Sequence, residues 1–336
     1  MSHLSLLVLV LHNSILVLLL RASRSHSDHS SNPSDSPSLL YLASVAVVFT
    51  ELLKLSICFL VLIFSMLSSS SSVPIRQGLA CILSSVFQPR EIIRLSLPSA
   101  CYALQNNLLY LALSNLEAAT FQVVYQLKIL ATALFSILLL RRTLSVKQWS
   151  SLLLLMMGVT LVQWQTAVPH HPSPGNSSEE PEEKPILGFM AVILACLSSG
   201  FAGCYFERIL KSSSTYALPI SPPSLWVRNG QLGISATFFS LLLMILTDGP
   251  MIRDHGLLQG FGPLPWIVVL NQALGGLLVA AVVKYADNIL KGFATSLSIL
   301  LSGLISYLFL GFHPTLPFLF GASLVLLSTF LYGRRA

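Results

Sequence analysis

Apolar runs of similar length recur along the whole chain, separated by short polar or Pro/Ser-rich stretches. Ten such runs stand out. The first five lie at about Leu4 to Leu20, Leu39 to Phe64, Leu95 to Leu113, Ala118 to Leu140 and Trp149 to Trp164. The second five lie at about Ile186 to Leu210, Leu225 to Leu246, Pro265 to Val283, Ile289 to Leu310 and Pro317 to Tyr332. Each approaches the roughly 20 residues that a helix needs to cross a bilayer core. The pattern predicts an all-α polytopic membrane protein with ten transmembrane helices. The first run is short, but Met1, Ser2 and His3 bring no Lys or Arg and no clean small-x-small cleavage site follows, so it reads as a span and not as a signal peptide.

Composition agrees. Of 336 residues, 54% are hydrophobic and 10% charged, against about 25% charged in soluble domains. So few charges cannot clothe a water-soluble surface, and so much apolar content excludes a disordered chain. The net charge is +6, yet the basic residues are scattered and not interleaved with aromatics, which excludes a nucleic-acid surface. The five cysteines (Cys58, Cys81, Cys101, Cys196 and Cys204) have no CxxC or Cys/His spacing. Four sit in apolar runs and Cys81 in a predicted loop, so they read as packing residues.

With an even number of spans both termini share one side. Placing them in the cytosol puts twelve of the 19 Lys and Arg in cytosolic segments and four opposite. The positive-inside rule therefore favours cytosolic termini, with Arg21 and Arg24 dissenting locally. The stretch 165–185 carries Pro169, Pro172 and Pro174 among its prolines, and the acidic Glu179, Glu180, Glu182 and Glu183, a composition that cannot fold on its own. It also holds the sequon Asn176-Ser177-Ser178, useful only on a luminal face. This linker divides residues 1–164 from 186–336, five spans from five. An offset of 172 residues lays Phe121 on Phe293 and the Ala131 to Leu140 run over Gly303 to Phe312. Duplicated halves with an odd number of spans must be inverted, and inverted five-helix halves are a transporter signature.

Charged residues inside spans demand a reason, since each costs at least about 2.5 kcal/mol at mid-membrane. Lys128 lies near the middle of the fourth span, in which no acid occurs. Phe121, Tyr125 and Lys128 share one helical face, with Gln122 and Gln126 beside it. A cation, amides and rings together suit an anionic ligand with a base or sugar to stack and hydrogen-bond. The third span adds Tyr102, Gln105, Asn106 and Asn107, which serve either a ligand or interhelical hydrogen bonds. Glu51 and Lys54, spaced i, i+3, either serve a ligand or neutralise one another. The second half offers Arg228, Asn229 and Gln231, and the run Lys284 to Gly292 at a span boundary. The small residues Ser198, Ser199, Gly200, Gly203, Gly275 and Gly276 favour close helix packing. The His residues lack metal spacing and there is no Walker loop, so no catalytic centre, metal or cofactor is expected.

These residues carry a resemblance. Leu104-Gln105-Asn106-Asn107, Tyr125-Gln126-Leu127-Lys128, Ser198 to Gly203, Tyr205-Phe206-Glu207, Trp226-Val227-Arg228-Asn229 and Lys284 to Phe293 resemble the nucleotide-sugar transporters of the drug/metabolite transporter superfamily. The resemblance runs in order over nearly the whole chain. It implies ten spans, cytosolic termini, a Golgi membrane location and exchange of a cytosolic nucleotide sugar for a luminal nucleoside monophosphate. By position it implies base and ribose contacts from Tyr102, Asn106, Lys128, Ser199 and Asn229. Phosphate and sugar contacts are implied for Lys54, Tyr125, Lys128 and Lys284.

For the substrate, the Asn271 to Gly276 stretch, Phe121 and Gly311-Phe312-His313 are similar to the UDP-galactose branch. Asn107 to Tyr110, Gln163-Trp164 and Ser328 to Gly333 are similar to the UDP-N-acetylglucosamine branch. Gly233 replaces the Tyr of the CMP-sialic acid branch. The chain departs from the pattern in a Pro-rich stretch, Tyr216 to Pro223, and in a Ser/His-rich first loop, Ser23 to Ser38. The expected partners are a UDP-sugar and UMP as exchanged substrates and membrane lipid, without nucleic acid. A homodimer or glycosyltransferase association stays open. So do two other functions, a proton-coupled permease centred on Glu51 and a transport-inactive homologue that scaffolds glycosyltransferases.

Overall fold

The computed structural model describes residues 2–29, 41–68, 74–113, 115–167, 185–212, 224–309 and 313–333, and among these every regular element is a helix. In order they are α1 (Ser2–His29), α2 (Ala43–Ser68), α3 (Ile75–Val86), α4 (Pro89–Leu113), α5 (Ala118–Tyr125), α6 (Leu127–Leu140), α7 (Val146–Ala167), α8 (Pro185–Lys211), α9 (Ser224–His255), α10 (Pro263–Tyr285), α11 (Asn288–Phe309) and α12 (Leu316–Gly333). The Asn176 sequon, nearly all of the acidic linker, and the Tyr216 to Pro223 stretch lie outside the described residues.

Among the described residues, seven helical stretches are long and apolar enough to cross a membrane: Ala43–Ser68, Thr120–Leu140, Pro185–Lys211, Leu225–His255, Pro263–Tyr285, Asn288–Phe309 and Leu316–Gly333. Large apolar side chains such as Phe64, Leu138, Phe238 and Phe309 stay exposed on them. In water that would be an aggregation hazard, but it suits a surface solvated by lipid. The protein is an all-α, multi-pass membrane protein.

Two stretches read as loop are helical: α1 continues through Ser23 to His29, the part of the Ser23 to Ser38 stretch that lies among the described residues, and a further helix follows the second span. The segment around Cys81, expected as loop, forms α3. Gly78, Ile82 and Val86 recur at four-residue spacing and are buried, so one stripe of this short helix faces inward. Ile82 and Val86 pack with Leu62 of α2, against Trp226, Val227 and Ile234 of α9.

The helices gather into two compact units. The first contains Met1–Ala103 and Ile209–Asp287. In it α2 packs along α9, α1 along α10, and α10 also meets α2. A polar network ties this unit near the start of α4. Glu91 pairs with Arg228 of α9 and, at 3.1 Å, with Arg94. Arg228 also donates to Gln231 Oε1 at 3.2 Å, and Gln231 donates to the carbonyl of Ser85 at 2.8 Å.

The second unit contains Leu104–Arg208 and Asn288–Ala336. Its main seam joins α7 to α12. A Cβ on Gly158 would lie 2.8 Å from the carbonyl oxygen of Gly321, so the two backbones touch and neither position admits a side chain without movement. Leu152, Leu155 and Val159 of α7 pack there with Val325 and Tyr332 of α12 and with Ile289 and Phe293 of α11. Gly200 brings α8 against the backbone of Ala131, where a Cβ would stand 2.8 Å from the carbonyl carbon. The small-residue stretch from Ser198 to Gly203 thus serves close packing at Gly200.

Candidate functional site

The fourth predicted span, apolar enough over Thr120–Leu140 to cross a membrane, is interrupted at one residue within that length. At Gln126 the backbone N–H bonds to the carbonyl of Val123 at 3.2 Å, an i−3 bond that ends α5, and α6 begins at the next residue. No Gly or Pro stands there to break the ladder. Instead the buried Gln126 side chain donates to Gln163 Oε1 of α7 at 2.7 Å. Broken helices of this kind place side chains and free backbone groups at membrane depth only where protein or a cavity receives them.

A cavity of about 160 Å³ opens beside this break, within the second unit. Tyr125, Gln126, Lys128 and Thr132 line it from α5, the break and α6; Gln163 lines it from α7 and Ser199 from α8; Asn288, Lys291, Thr295 and Ser296 line it from α11. Its floor is apolar, from Ile129, Leu155, Val159, Ile289 and Ile299. Neither Asp nor Glu is among the lining residues, whereas two lysines are. Two lysines in one wall without an acid beside them have the charge to balance an anion. The volume is below the roughly 300–1,000 Å³ that encloses a drug-sized ligand, so it fits a charged group and not a whole dinucleotide-sized molecule.

The aromatic face of the fourth span survives the break. Phe121 and Tyr125 stack with centroids 5.5 Å apart and an interplanar angle of 14°. Lys128 Nζ stands 4.1 Å from the Tyr125 ring centroid, a cation–π contact. Gln105 of α4 donates to the Tyr125 hydroxyl at 3.5 Å. Two buried polar atoms nearby, Oε1 of Gln105 and Oδ1 of Asn288, lack a hydrogen-bond partner among the described residues, and each can accept another hydrogen bond.

A model of the nucleotide-sugar transporter family matches residues 1–333. The chain belongs to that family. It is 48% identical over 335 residues to the UDP-N-acetylglucosamine transporter of Bos taurus, covering 99% of this chain and 95% of that relative. To the Homo sapiens protein of the same name it is 47% identical with the same coverage. To the UDP-galactose translocator of Mus musculus it is 46% identical over 334 residues, covering 99% of this chain and 78% of the relative. A solved crystal structure matches with a TM-score of 0.62 at 15% identity, covering 98% of this chain and 96% of its own; at that identity it speaks for the fold alone.

For a nucleotide-sugar transporter the residues expected at the site distribute unevenly. Tyr125, Lys128 and Ser199 line the cavity together. Asn106, on α4 of the same unit, is exposed and is not in the lining. Lys54, Tyr102, Asn229 and Lys284 belong to the first unit. There Lys54 pairs with Glu51 at 2.6 Å, the mutual neutralisation that their spacing allowed. Asn229 is buried and donates to the carbonyl of Leu225 at 3.0 Å, and Lys284 lies 5.6 Å from the ring centroid of Tyr285.

Lys291 lay within the Lys284 to Gly292 run that the sequence reading singled out, but not among its named site residues. It sits in the first turn of α11 and lines the cavity with Lys128. The available signal was its position inside the predicted span Ile289 to Leu310, where a charge needs a reason. Arg228 shows the opposite. It lies in an apolar helix, yet Glu91, 137 residues away in sequence, accounts for its charge.

Proposed function

We propose that this protein carries UDP-galactose or UDP-N-acetylglucosamine from the cytosol into the Golgi lumen in exchange for UMP. One observation carries the reading: a cavity without acidic residues in which Lys128 and Lys291 converge beside Tyr125. The pyrophosphate of a UDP-sugar and the phosphate of UMP are both close to dianionic near neutral pH. Two fixed ammonium groups therefore balance either ligand, and one cation pair serves both directions of exchange. The hydroxyl and amide groups of Thr132, Gln163, Ser199, Thr295 and Ser296 supply polar contacts of the kind a ribose or sugar needs.

In this reading ten spans form two inverted halves, 1–164 and 186–336, joined by a luminal linker at 165–185, with both termini cytosolic. Support comes from the pairing of equivalent spans of the two halves. Within the first unit the second span (α2) packs on the seventh (α9). Within the second, the fourth (α6) meets the ninth (α11) and the fifth (α7) meets the tenth (α12). Lys54, Tyr102, Asn106, Asn229 and Lys284 keep the roles that their motifs imply as proposals, each open to its own alanine variant.

Purified protein in liposomes preloaded with UMP is expected to accumulate UDP-galactose or UDP-N-acetylglucosamine. Equal uptake into liposomes without internal nucleotide overturns exchange. Normal transport by a Lys128→Ala variant overturns the cavity assignment.

A further inference from the structure

Glu207 is fully buried on α8 and is not part of the cavity lining, yet it holds two groups at the cavity's edge. Its Oε1 accepts from Arg142 Nη2 at 2.6 Å, and its Oε2 accepts from the backbone N–H of Asn288 at 3.0 Å. Asn288 is the first residue of α11 and lines the cavity, and Lys291 follows within the same turn. One turn before Glu207, Gly203 leaves the space that the Asn288 side chain fills; a Cβ there would stand 2.3 Å from Asn288 Nδ2. The face of α8 that carries Gly203 and Glu207 therefore seats the first residue of α11 by both its backbone and its side chain.

Two features make this more than an ordinary helix cap. A neutral Ser, Thr or Asn can satisfy a helix-initial N–H, whereas a buried carboxylate is costly unless it is paired. The pairing cation arrives by a strained route. α6 ends at Arg141 in the left-handed region (φ 53), and among the described residues it is the one non-glycine there. That turn delivers Arg142 to Glu207. A carboxylate placed behind the cavity wall offsets the repulsion between two lysines without competing for the anion in front of them.

We propose that Glu207 is a positioning residue for anion recognition: holding Arg142 and the first N–H of α11, it sets the turn from which Lys291 and Asn288 face the cavity. The proposal rests on the transporter reading above.

The test is a double-mutant cycle on UMP affinity, measured with the full-length protein in detergent. Glu207→Gln, nearly isosteric, is expected to weaken UMP binding about tenfold, and Lys291→Ala by at least as much. In the Lys291→Ala background Glu207→Gln should then cost less than about twofold, because it acts through the lysine already removed. The charge swap Arg142→Glu with Glu207→Arg restores an ion pair but sets a cation against the N-terminus of α11, so affinity should stay low. Where Glu207→Gln does not yield folded protein, Glu207→Asp enters the same cycle, with a smaller loss that likewise vanishes without Lys291. Losses that multiply, an unchanged UMP affinity with only a lower melting temperature, or full rescue by the swap each overturn the positioning role. A wild-type protein that binds no UMP overturns the transporter reading and the inference with it, whereas wild-type binding with multiplying losses overturns the inference alone.

Discussion

The ammonium of Lys128 stands 4.1 Å from the centroid of the Tyr125 ring, three residues earlier and across a break in the helix. The ring is held on one side by Phe121 and at its hydroxyl by Gln105. Lys128 is thereby fixed in place before any anion arrives, and ordering it costs little on binding.

This contact gives a graded expectation. Tyr125→Phe keeps the ring and loses the hydroxyl bond, so UMP affinity should change less than about threefold. Tyr125→Ala removes a cation–π contact of about 0.5–2 kcal/mol and should weaken binding by roughly threefold to thirtyfold. Titration calorimetry on the three proteins checks the order, and equal losses for Phe and Ala would place the effect in the hydroxyl.

Lys291→Ala should impair UDP-sugar uptake as severely as Lys128→Ala, since both line the same acid-free wall. Lost charge-assisted hydrogen bonds of about 1.5–3 kcal/mol correspond to a fall of roughly tenfold to a hundredfold in kcat/KM. Counterflow assays in proteoliposomes measure this. A Lys291→Ala protein with wild-type uptake would remove that residue from the site.

Two glycines of similar appearance should behave differently. A Cβ on Gly200 meets the backbone of Ala131 at 2.8 Å, and helix backbone cannot yield locally. A Cβ on Gly276 meets the Lys54 side chain, also at 2.8 Å, and that flexible chain can swing aside. Gly200→Ala should therefore destabilise by about 1–3 kcal/mol, and Gly276→Ala by under about 0.5 kcal/mol. Thermal melting of the apo proteins in detergent separates them.

The Glu91–Arg228 pair makes the protein's stability depend on pH at the acid end. Glu91 precedes the predicted span that begins at Leu95. Burial pushes its carboxyl up, but the hydrogen bond and charge of Arg228, with Arg94, outweigh this and hold it below its ordinary value of 4.5. A depressed carboxylate contributes its full stabilisation above that ordinary value and loses it as pH falls through the lower folded-state value. Melting temperature should accordingly show no contribution from Glu91 titration above pH 4.5 and a loss below it. Glu91→Gln, which leaves the half-buried Arg228 beside a neutral partner, should cost about 1–3 kcal/mol at neutral pH and lack that acid-side loss.

The sequence alone determined the class of molecule and one face of its site. Membrane residence follows from run length and charge scarcity, which are properties of the chain itself. The Phe121–Tyr125–Lys128 face follows from the 3.6-residue period, which links residues only one turn apart. Tertiary structure decided which of the remaining charges are spent inside the protein. Arg228 is spent on Glu91 and Arg142 on Glu207, while Lys128 and Lys291 meet across an acid-free cavity. Packing also folded α3 and broke the fourth span at Gln126, where no local residue type required it. The reason is distance along the chain. Helical periodicity reports on neighbours within a turn or two, but the partner of a buried charge or amide lies tens to hundreds of residues away and is chosen only when helices pack.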